Sequence, residues 1–329
     1  MENIGTIELE KGEYFVALNE KTNIIYISNN KSDSILVVDG NAKKIVNRIQ
    51  IEKPRELVIN PDNNTLYTIC GDAGFRLRDN GARISIIDLV TNQITGSIGE
   101  KEGFGDIKFN QNTKLLYATQ TNSKKVWVID TFTNTLKKQI KVGAKYRSIA
   151  MDSTNNIIYL AGREGIFDKI SFGLIHGDDD NQTEKMASKM VLRSNKIWEI
   201  YHNNNNNKLY AFVETPGVTD DDPPKVSIQV FDIDSKSFGK KSKSRRTQDG
   251  MGFDQSRNRF YFSDVQKGEF SVLNDSLEEI GLFRFTEPKG FVEKHLKGHG
   301  YHSKFVINSN LQLIYIAGSK LNLLHIIKE

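Results

Sequence analysis

The sequence contains very little cysteine and no long apolar segment. Only one of its 329 residues is a cysteine, Cys70, and this excludes an internal disulfide framework. We interpret Cys70 as a small buried hydrophobic residue, because it lies in an apolar, strand-like segment. No apolar stretch approaches the roughly 20 residues that cross a bilayer, so no membrane span is predicted.

The net charge and the first residues of the chain indicate which kind of partner and which cellular location to expect. A formal net charge of +4 is modest for this length, so it does not by itself indicate nucleic acid as a partner. Residues 1–5 lack the basic and apolar regions of a secretion signal, which makes the cytoplasm the default location. A mature form from which a signal peptide had been removed would begin in the same way, so an extracellular or cell-surface location stays open.

The sequence does contain a tyrosine that recurs seven times behind a bulky apolar residue. The successive gaps are 41, 50, 42, 51, 51 and 54 residues, and the chain has only 11 tyrosines. A self-similar period of this length is typical of a repeat fold, and the short apolar runs around each tyrosine are typical of strands. The seven tyrosines are Tyr26, Tyr67, Tyr117, Tyr159, Tyr210, Tyr261 and Tyr315.

A second landmark, two apolar residues followed by a polar one, recurs thirteen residues after the tyrosine. Asp39 and Asp130 are its polar residues in the first and third repeats. In the second and fifth repeats it comes 21 and 22 residues after the tyrosine, at Asp88 and Asp232, which predicts insertions of about eight or nine residues there. The fourth repeat is degenerate, and the spacing places Phe172 in the slot.

Each repeat contains four short strand-like segments, the first of which ends in a turn rich in Asn, Asp or Pro. This pattern predicts an all-β fold, a seven-bladed β-propeller of four-stranded antiparallel blades, as a single domain over residues 1–329. The seventh repeat ends after its third strand, and residues 3–10 have the pattern of the missing fourth. We therefore expect the N-terminal strand to complete the blade formed by residues 302–329 and to close the ring.

Two segments carry a resemblance to a known family. Residues 126–136, VWVIDTFTNTL, resemble the repeat of the YVTN-family propellers, and residues 84–92, ISIIDLVTN, resemble it more weakly. The resemblance implies a seven-bladed propeller related to archaeal surface-layer-type repeat proteins and to the lactonase and quinoprotein dehydrogenase propellers. Repeats four to seven lack the Asp-x-x-Thr-Asn turn. Members of this broad group differ widely in activity, so the fold implies no single function.

The long connections of the predicted propeller fall on one face. Residues 71–81, 215–224 and 286–301 form them, whereas the first-to-second turns on the other face are short and Asn-rich. Long loops on a rigid scaffold are where binding usually occurs. We therefore predict a non-enzymatic scaffold that binds a protein or another ligand on the long-loop face; tolerated decoration is the alternative.

The residues that enter each innermost strand on this face approximate the rim of the central channel. They include two arginines and three carboxylates, which suits bidentate binding of a zwitterionic or anionic ligand. Pairing of these groups with one another around a watery channel is the alternative. The predicted ligand-binding residues are Arg55, Glu56, Asp106, Arg147, Trp198, Glu199 and Lys304.

His299 and His302 are the candidate catalytic residues, because they lie among three histidines in residues 294–303 on the same face. An imidazole near the channel mouth suits the base of a lactonase-like or lyase-like propeller enzyme, which is the alternative function. Gly298 and Gly300 disfavour the helix that would align these side chains, so no metal site is predicted. The related copper and haem propellers use more histidines than the six of this chain, so no cofactor is predicted.

Two clusters of charge are interpreted as structural. The acidic triplets at 178–180 and 220–222 lack the alternating spacing and terminal Glu of a calcium loop, so we expect solvated turns. The basic residues between 236 and 246 fall on the outermost strand of the fifth repeat, where lysines oppose edge-to-edge pairing. No aromatic platform is interleaved with them, so nucleic acid is disfavoured as a partner.

Overall fold

The computed structural model describes residues 1–71, 82–121, 123–164, 169–176, 183–190, 196–215, 225–243, 245–246, 250–264, 269–284, 303–318 and 322–329. Within this part of the chain, all regular secondary structure is β-strand, arranged in seven antiparallel sheets. No helix in the described ranges is long and apolar enough to cross a bilayer.

Each sheet is one blade, and six blades take their strands consecutively from the chain. The innermost strands of blades 1 to 7 are β2 (Tyr14–Asn19), β6 (Pro54–Asn60), β10 (Phe104–Asn110), β14 (Lys145–Asp152), β18 (Lys196–Asn203), β23 (Met251–Asp254) and β27 (Lys304–Asn308). The second strands are β3 (Ile24–Asn29), β7 (Thr65–Cys70), β11 (Leu115–Gln120), β15 (Ile157–Glu164), β19 (Lys208–Thr215), β24 (Arg259–Asp264) and β28 (Leu313–Gly318).

The outer half of each blade follows the same order. The third strands are β4 (Ser34–Asp39), β8 (Ala82–Asp88), β12 (Lys125–Asp130), β16 (Lys169–His176), β20 (Lys225–Asp232), β25 (Glu269–Leu273) and β29 (Leu323–Lys328). The fourth strands are β5 (Lys44–Gln50), β9 (Gln93–Glu102), β13 (Thr135–Lys141), β17 (Thr183–Met190), β21 (Ser237–Lys241), β26 (Glu279–Arg284) and, for blade 7, β1 (Glu2–Glu8). A two-residue strand, β22 (Arg245–Arg246), also pairs with β20.

Seven apolar clusters lie between neighbouring blades and close the ring. Each cluster joins side chains of two successive blades, and one of them joins Ile326 of blade 7 to Ile27 of blade 1. Because both faces of the inner strands are covered in this way, β7 and β11 are buried along their whole length. The predicted seven-bladed β-propeller is confirmed.

The turn between the first and second strands is built in the same way in all seven blades. The last residue of the innermost strand is a buried Asn or Asp whose side-chain oxygen accepts a backbone N–H two or three residues on. The residue four positions on has a φ between 50° and 57°. This left-handed conformation is the physical reason for the Asn-rich turns. The seven cap residues are Asn19, Asn60, Asn110, Asp152, Asn203, Asp254 and Asn308.

Four of the repeat tyrosines, Tyr67, Tyr210, Tyr261 and Tyr315, donate a hydrogen bond to the next blade. The Tyr67 hydroxyl donates to Asn134 Oδ1 at 2.6 Å, and the Tyr315 hydroxyl donates to Asn23 Oδ1 at 2.8 Å. All seven rings are at most 4% exposed, so each hydroxyl needs a partner inside the protein. Phenylalanine would fill the same space without this bond, which explains why these four positions have tyrosine.

The Asp-x-x-Thr-Asn segments form the turns between the third and fourth strands of blades 2 and 3. Asp88 Oδ1 accepts the backbone N–H of Thr91 at 2.7 Å and its hydroxyl at 3.0 Å. Asn92 and Asn134 both have a φ of 57°. Each residue of the motif therefore has a local structural role: the Asp side chain caps the turn, Thr donates hydrogen bonds to the Asp, and Asn adopts the left-handed conformation.

The N-terminal strand completes the last blade, as predicted. β1 pairs antiparallel with β29, from Glu2 opposite Lys328 to Glu8 opposite Leu323. The next residue, Leu9, donates its N–H to the Asn322 carbonyl at 2.7 Å. Ile7 and Leu9 are each only 8% exposed and join the cluster between blades 7 and 1.

The fourth repeat departs from the predicted register. Ile157, the first residue of β15, lies opposite His176, whereas Phe172 lies opposite Ala161 in the middle of the strand pair. The prediction that placed Phe172 in the landmark position is therefore wrong, and His176 occupies it. The reason is that β15 and β16 are eight residues long, so the hairpin extends beyond that of blade 1, whose β3 and β4 have six.

Candidate functional site

One layer of seven positions surrounds the channel, four residues before each buried cap. This position is at the end of the innermost strand that is farthest from the first-to-second turn. The layer therefore lies where the blade-to-blade connections end and the second-to-third connections begin, which we call the long-loop end. We call these residues the charged layer, and they are Phe15, Glu56, Asp106, Ser148, Glu199, Gly250 and Lys304 in blades 1 to 7.

An ion pair in the charged layer joins two blades that are not neighbours. Lys304 of blade 7 donates from Nζ to Glu199 Oε1 of blade 5, and their side chains are only 16% and 23% exposed. Blade 6 lies between them and has Gly250 at the equivalent position. A Cβ on Gly250 would lie 1.8 Å from the backbone oxygen of Ser303, so blades 6 and 7 approach too closely there for a side chain. The Lys304 ammonium also lies 5.1 Å from the centre of the Phe15 ring, a cation–π distance.

A second charged group binds blade 3 to blade 4. Asp106 Oδ2 accepts the backbone N–H of Ile149 at 2.9 Å, and Oδ1 lies 3.3 Å from Lys108 Nζ. The Asp106 backbone N–H is in turn satisfied by the Thr119 hydroxyl at 3.0 Å. Asp106 is 7% exposed, so its charge is fixed in place by the strand ends around it.

Tyr201 lies beside the charged layer, two residues after Glu199 in the innermost strand of blade 5. Its hydroxyl donates to Glu199 Oε2 at 2.7 Å and lies 3.2 Å from the Met251 carbonyl. Burial and the Glu199 carboxylate raise the pKa of Tyr201 well above its ordinary value. The hydroxyl is therefore a neutral donor across the physiological range, and it holds Glu199 in its ionised form.

The buried charges shift one another's pKa in different directions. Burial, opposed by Lys304 and reinforced by Asp106, raises the pKa of Glu56 to about 7. Burial also acts to raise the pKa of Glu199, but Lys304 and the Tyr201 hydroxyl hold it below its ordinary value. For Lys304, burial acts to lower the pKa, and the two glutamates outweigh it and raise the pKa. Near neutral pH, Lys304 and Glu199 are therefore fully charged and Glu56 is partly protonated.

The raised pKa of Glu56 predicts a stability that depends on pH. A carboxyl whose pKa is raised on folding contributes stability below its unfolded value of 4.5, and that contribution is lost as pH rises through about 7. We expect Glu56→Gln to leave the free energy of unfolding near the wild-type value at pH 5. At pH 8.5 the variant should be the more stable by on the order of 1–3 kcal/mol, given about 1.4 kcal/mol per pKa unit.

Urea unfolding at both pH values measures this difference. Glu8→Gln, on the exposed side of β1, removes the same charge outside the channel and is the matched control. An equal stability difference between Glu56→Gln and wild type at pH 5 and 8.5 would show that Glu56 does not titrate in this way.

The structure brings some of the predicted ligand-binding residues together and separates others. Glu56, Asp106, Glu199 and Lys304 all lie in the charged layer. Trp198 instead donates from Nε1 to Glu214 Oε2 of its own blade at 3.1 Å and packs against the cluster between blades 5 and 6. The remaining two predicted residues, Arg55 and Arg147, directly precede the layer positions of blades 2 and 4, where Arg55 is 7% exposed and Arg147 half-buried.

The candidate catalytic histidines, His299 and His302, lie outside the described residues. The same holds for the three long connections, except for Gly71 and Thr215, which mark where two of them begin. Within the described ranges, no three His, Cys, Asp or Glu side chains are grouped closely enough to hold a metal ion.

The sequence interpretation missed two residues of the site, Lys108 and Tyr201. Lys108 lies two positions after Asp106, and Tyr201 lies two positions after Glu199, so each follows a predicted carboxylate. Since residues i and i+2 of a strand lie on one face, extending each rim prediction by two positions would have found them.

Comparison with known proteins supports the fold. No family model matches this sequence, and no curated protein is significantly similar to it. Among solved structures, one titled Kuenenia stuttgartiensis Hydrazine Synthase contains a chain that matches 98% of this chain and 97% of its own length, with a TM-score of 0.74 and 13% sequence identity. The chain is a seven-bladed β-propeller. At this identity the likeness shows the fold alone, and the function has to be argued from the site.

Proposed function

We propose that the propeller is a non-enzymatic scaffold that binds a protein or a small ligand on its long-loop face, and that a charged group of the ligand enters the channel at the charged layer. The location of the charged side chains supports this proposal. Charges from blades 2, 3, 5 and 7 converge at this end of the channel, and the strand ends at Cys70 and Thr215 begin two of the long connections on the same face.

The observation that carries the proposal is the composition of the charged layer. Three carboxylates, of Glu56, Asp106 and Glu199, lie in the layer with the ammonium group of Lys304, and Lys108, two positions after Asp106, adds a second ammonium group beside it. Buried ion pairs are usually no more stabilising than apolar side chains of the same volume, so stability alone does not account for the pair of Lys304 and Glu199. Pairing within the layer accounts for Lys304 with Glu199 and Lys108 with Asp106. Glu56 remains as a carboxyl whose ionisation a ligand's cationic group would stabilise.

A second function is favoured by one observation, the pKa of about 7 of Glu56. A carboxyl that titrates near neutrality in a cleft suits a general base or acid. It would serve a lactonase-like or lyase-like propeller enzyme, for which the sequence predicts His299 or His302 as the base. The scaffold is preferred because no cluster of metal-binding side chains accompanies Glu56 in the described part of the chain.

The kinship of the blades is a separate part of the proposal. The Asp-capped turns of blades 2 and 3, with Thr91 and Thr133 donating their N–H groups to the capping Asp, support a relation to YVTN-type repeats. This relation concerns the repeated sequence unit alone and implies no activity.

The proposal predicts a ligand whose binding requires the Glu56 carboxylate. Isothermal titration at pH 7.5 with a panel of amino acids, alkylamines and dicarboxylates should yield a binder that loses at least tenfold in affinity in Glu56→Gln and less than twofold in Glu8→Gln. A tenfold loss corresponds to about 1.4 kcal/mol. For a protein partner, a photo-crosslinking residue at Thr215, on the long-loop face, should capture it, and one at Asn63, in a turn on the opposite face, should not.

Three outcomes would contradict the scaffold. One is a set of binders that are all indifferent to Glu56→Gln, and another is a partner captured from Asn63 but not from Thr215. The third is turnover of a lactone or elimination substrate that falls by on the order of 10² in Glu56→Gln or in His299→Ala/His302→Ala, which would establish the enzyme instead.

A further inference from the structure

A cavity of about 500 Å³ lies at the other end of the channel. Its lining comes from the innermost strands and first-to-second turns of blades 5, 6, 7 and 1. This is the volume of a typical small-molecule site. Six of its eleven described lining residues are apolar or aromatic, and the other five are polar. The cavity lies at the short-turn end, so it is separate from the charged layer.

The apolar wall is formed by side chains that other contacts hold in place. Phe253 stacks on Phe260 at a centroid distance of 4.5 Å, and Tyr201 lies edge-on to Phe253 at 6.1 Å. Phe305 is 9% exposed and lies against Gly252, whose missing Cβ would come within 2.5 Å of it. Leu18, Val306 and Ile307 complete the wall. A cavity shaped by such fixed groups requires little rearrangement on binding.

The charge at the mouth of the cavity is negative. Glu20 and Asp254 line it, and the described residues that line it include no lysine or arginine. Arg257 already neutralises Asp254 through an ion pair of 2.8 Å, and Ser256 also donates to it. The backbone N–H of Ser309 donates to Glu20, and no cation of the described residues pairs with it, so Glu20 is the carboxylate that a ligand would meet.

We propose that this short-turn cavity binds a small organic cation, such as an arylalkyl amine, with its apolar body against Phe253, Phe305 and Tyr201 and its ammonium at Glu20. Aromatic faces and a carboxylate at the rim of one pocket are the complementary environment of an apolar cation. A neutral ligand of the same shape would leave the carboxylate without a partner, and an anion would be repelled. The inference is independent of the proposed function, because it concerns the opposite end of the channel.

Phenethylamine and its neutral counterpart 2-phenylethanol test the charge preference on the full-length protein. We expect isothermal titration at pH 7.5 to show at least tenfold tighter binding of the amine. Glu20→Gln should weaken amine binding at least fivefold and leave the alcohol unchanged, and Glu8→Gln should change neither. Equal affinities for amine and alcohol, or equal losses in Glu20→Gln and Glu8→Gln, would overturn the proposal.

Methyl NMR locates the amine without any substitution in the wall. Titration of the protein labelled at isoleucine and leucine methyl groups should shift Leu18 and Ile307, which line the cavity. Ile7, in the outer strand of blade 7, should not shift. Amine binding that leaves Leu18 and Ile307 unshifted would place it elsewhere and refute the site.

Discussion

Removal of residues 1–10 is expected to make the protein aggregate. The deletion removes β1, which leaves the edge of β29 exposed, and it removes the buried side chains of Ile7 and Leu9. Each of these contributes roughly 1.5–3 kcal/mol, and the lost strand pairing adds to that, so the total approaches the 5–15 kcal/mol of a typical domain. Soluble yield and thermal melting measure the effect.

A synthetic peptide of residues 1–11 provides the control for this truncation. Added in trans during refolding, it should occupy the vacant edge of β29 and restore soluble protein, since strand addition to an open sheet edge needs no covalent link. Glu2→Gln, which keeps the strand, should melt like wild type. A truncated chain that melts within a degree or two of the full chain would refute closure of the ring by β1.

Lys304→Met is expected to be the most destabilising single substitution in the charged layer. It leaves Glu199 buried without its cation and removes the positive charge that favours ionisation of Glu56. Breaking a buried ion pair from one side costs about 3–5 kcal/mol. Acid should relieve the loss, because both carboxyls can then be protonated, so the deficit at pH 7.5 should shrink markedly at pH 5 in urea unfolding.

The double variant Lys304→Met/Glu199→Gln separates the charge effect from lost packing. With both charges gone, most of the stability should return, and the double-mutant cycle should show a coupling of about 1–3 kcal/mol. If the double variant is as unstable as Lys304→Met alone, the loss comes from packing of the lysine stem, and the ion pair is not what orders this end of the channel.

The fold was predictable because it depends on local rules repeated seven times. The tyrosine, the Asn or Asp cap and the apolar inner strands each have a local physical cause, and all of them recur in register along the sequence. The register of blade 4 was not predictable from the sequence. The thirteen-residue spacing after Tyr159 leads to Phe172, but the longer hairpin of β15 and β16 moves the end of the third strand to His176. The additional residues of this hairpin become visible only in the pairing of β15 with β16.

The site was predictable in position but not in its connections. Counting back from the turns found Glu56, Asp106, Glu199 and Lys304, because strand residues at equal distance from equivalent turns lie at equal height. The pairing of Lys304 with Glu199 past blade 6 was not predictable, since it accompanies the close approach of blades 6 and 7 at Gly250. A glycine carries no charge, so a search for charged residues gives it no weight.

The two ends of the channel have different chemistry, although they share Tyr201. Its hydroxyl donates to Glu199 in the charged layer, and its ring lines the short-turn cavity. Binding experiments therefore need to separate the ends by substitution. Glu56→Gln addresses the long-loop end and Glu20→Gln the short-turn end, and neither residue contacts Tyr201 in the hydrogen bonds described above.

Hydrogen–deuterium exchange with a ligand whose binding is lost in Glu56→Gln tests the central claim most directly. The amide groups at the long-loop end of β6, β10 and β18, at residues 54–57, 104–107 and 197–200, are expected to exchange more slowly in the complex. Protection confined to the turns at residues 20–23, 61–64 and 204–207, with no change at those strand ends, would contradict binding at the long-loop end of the channel.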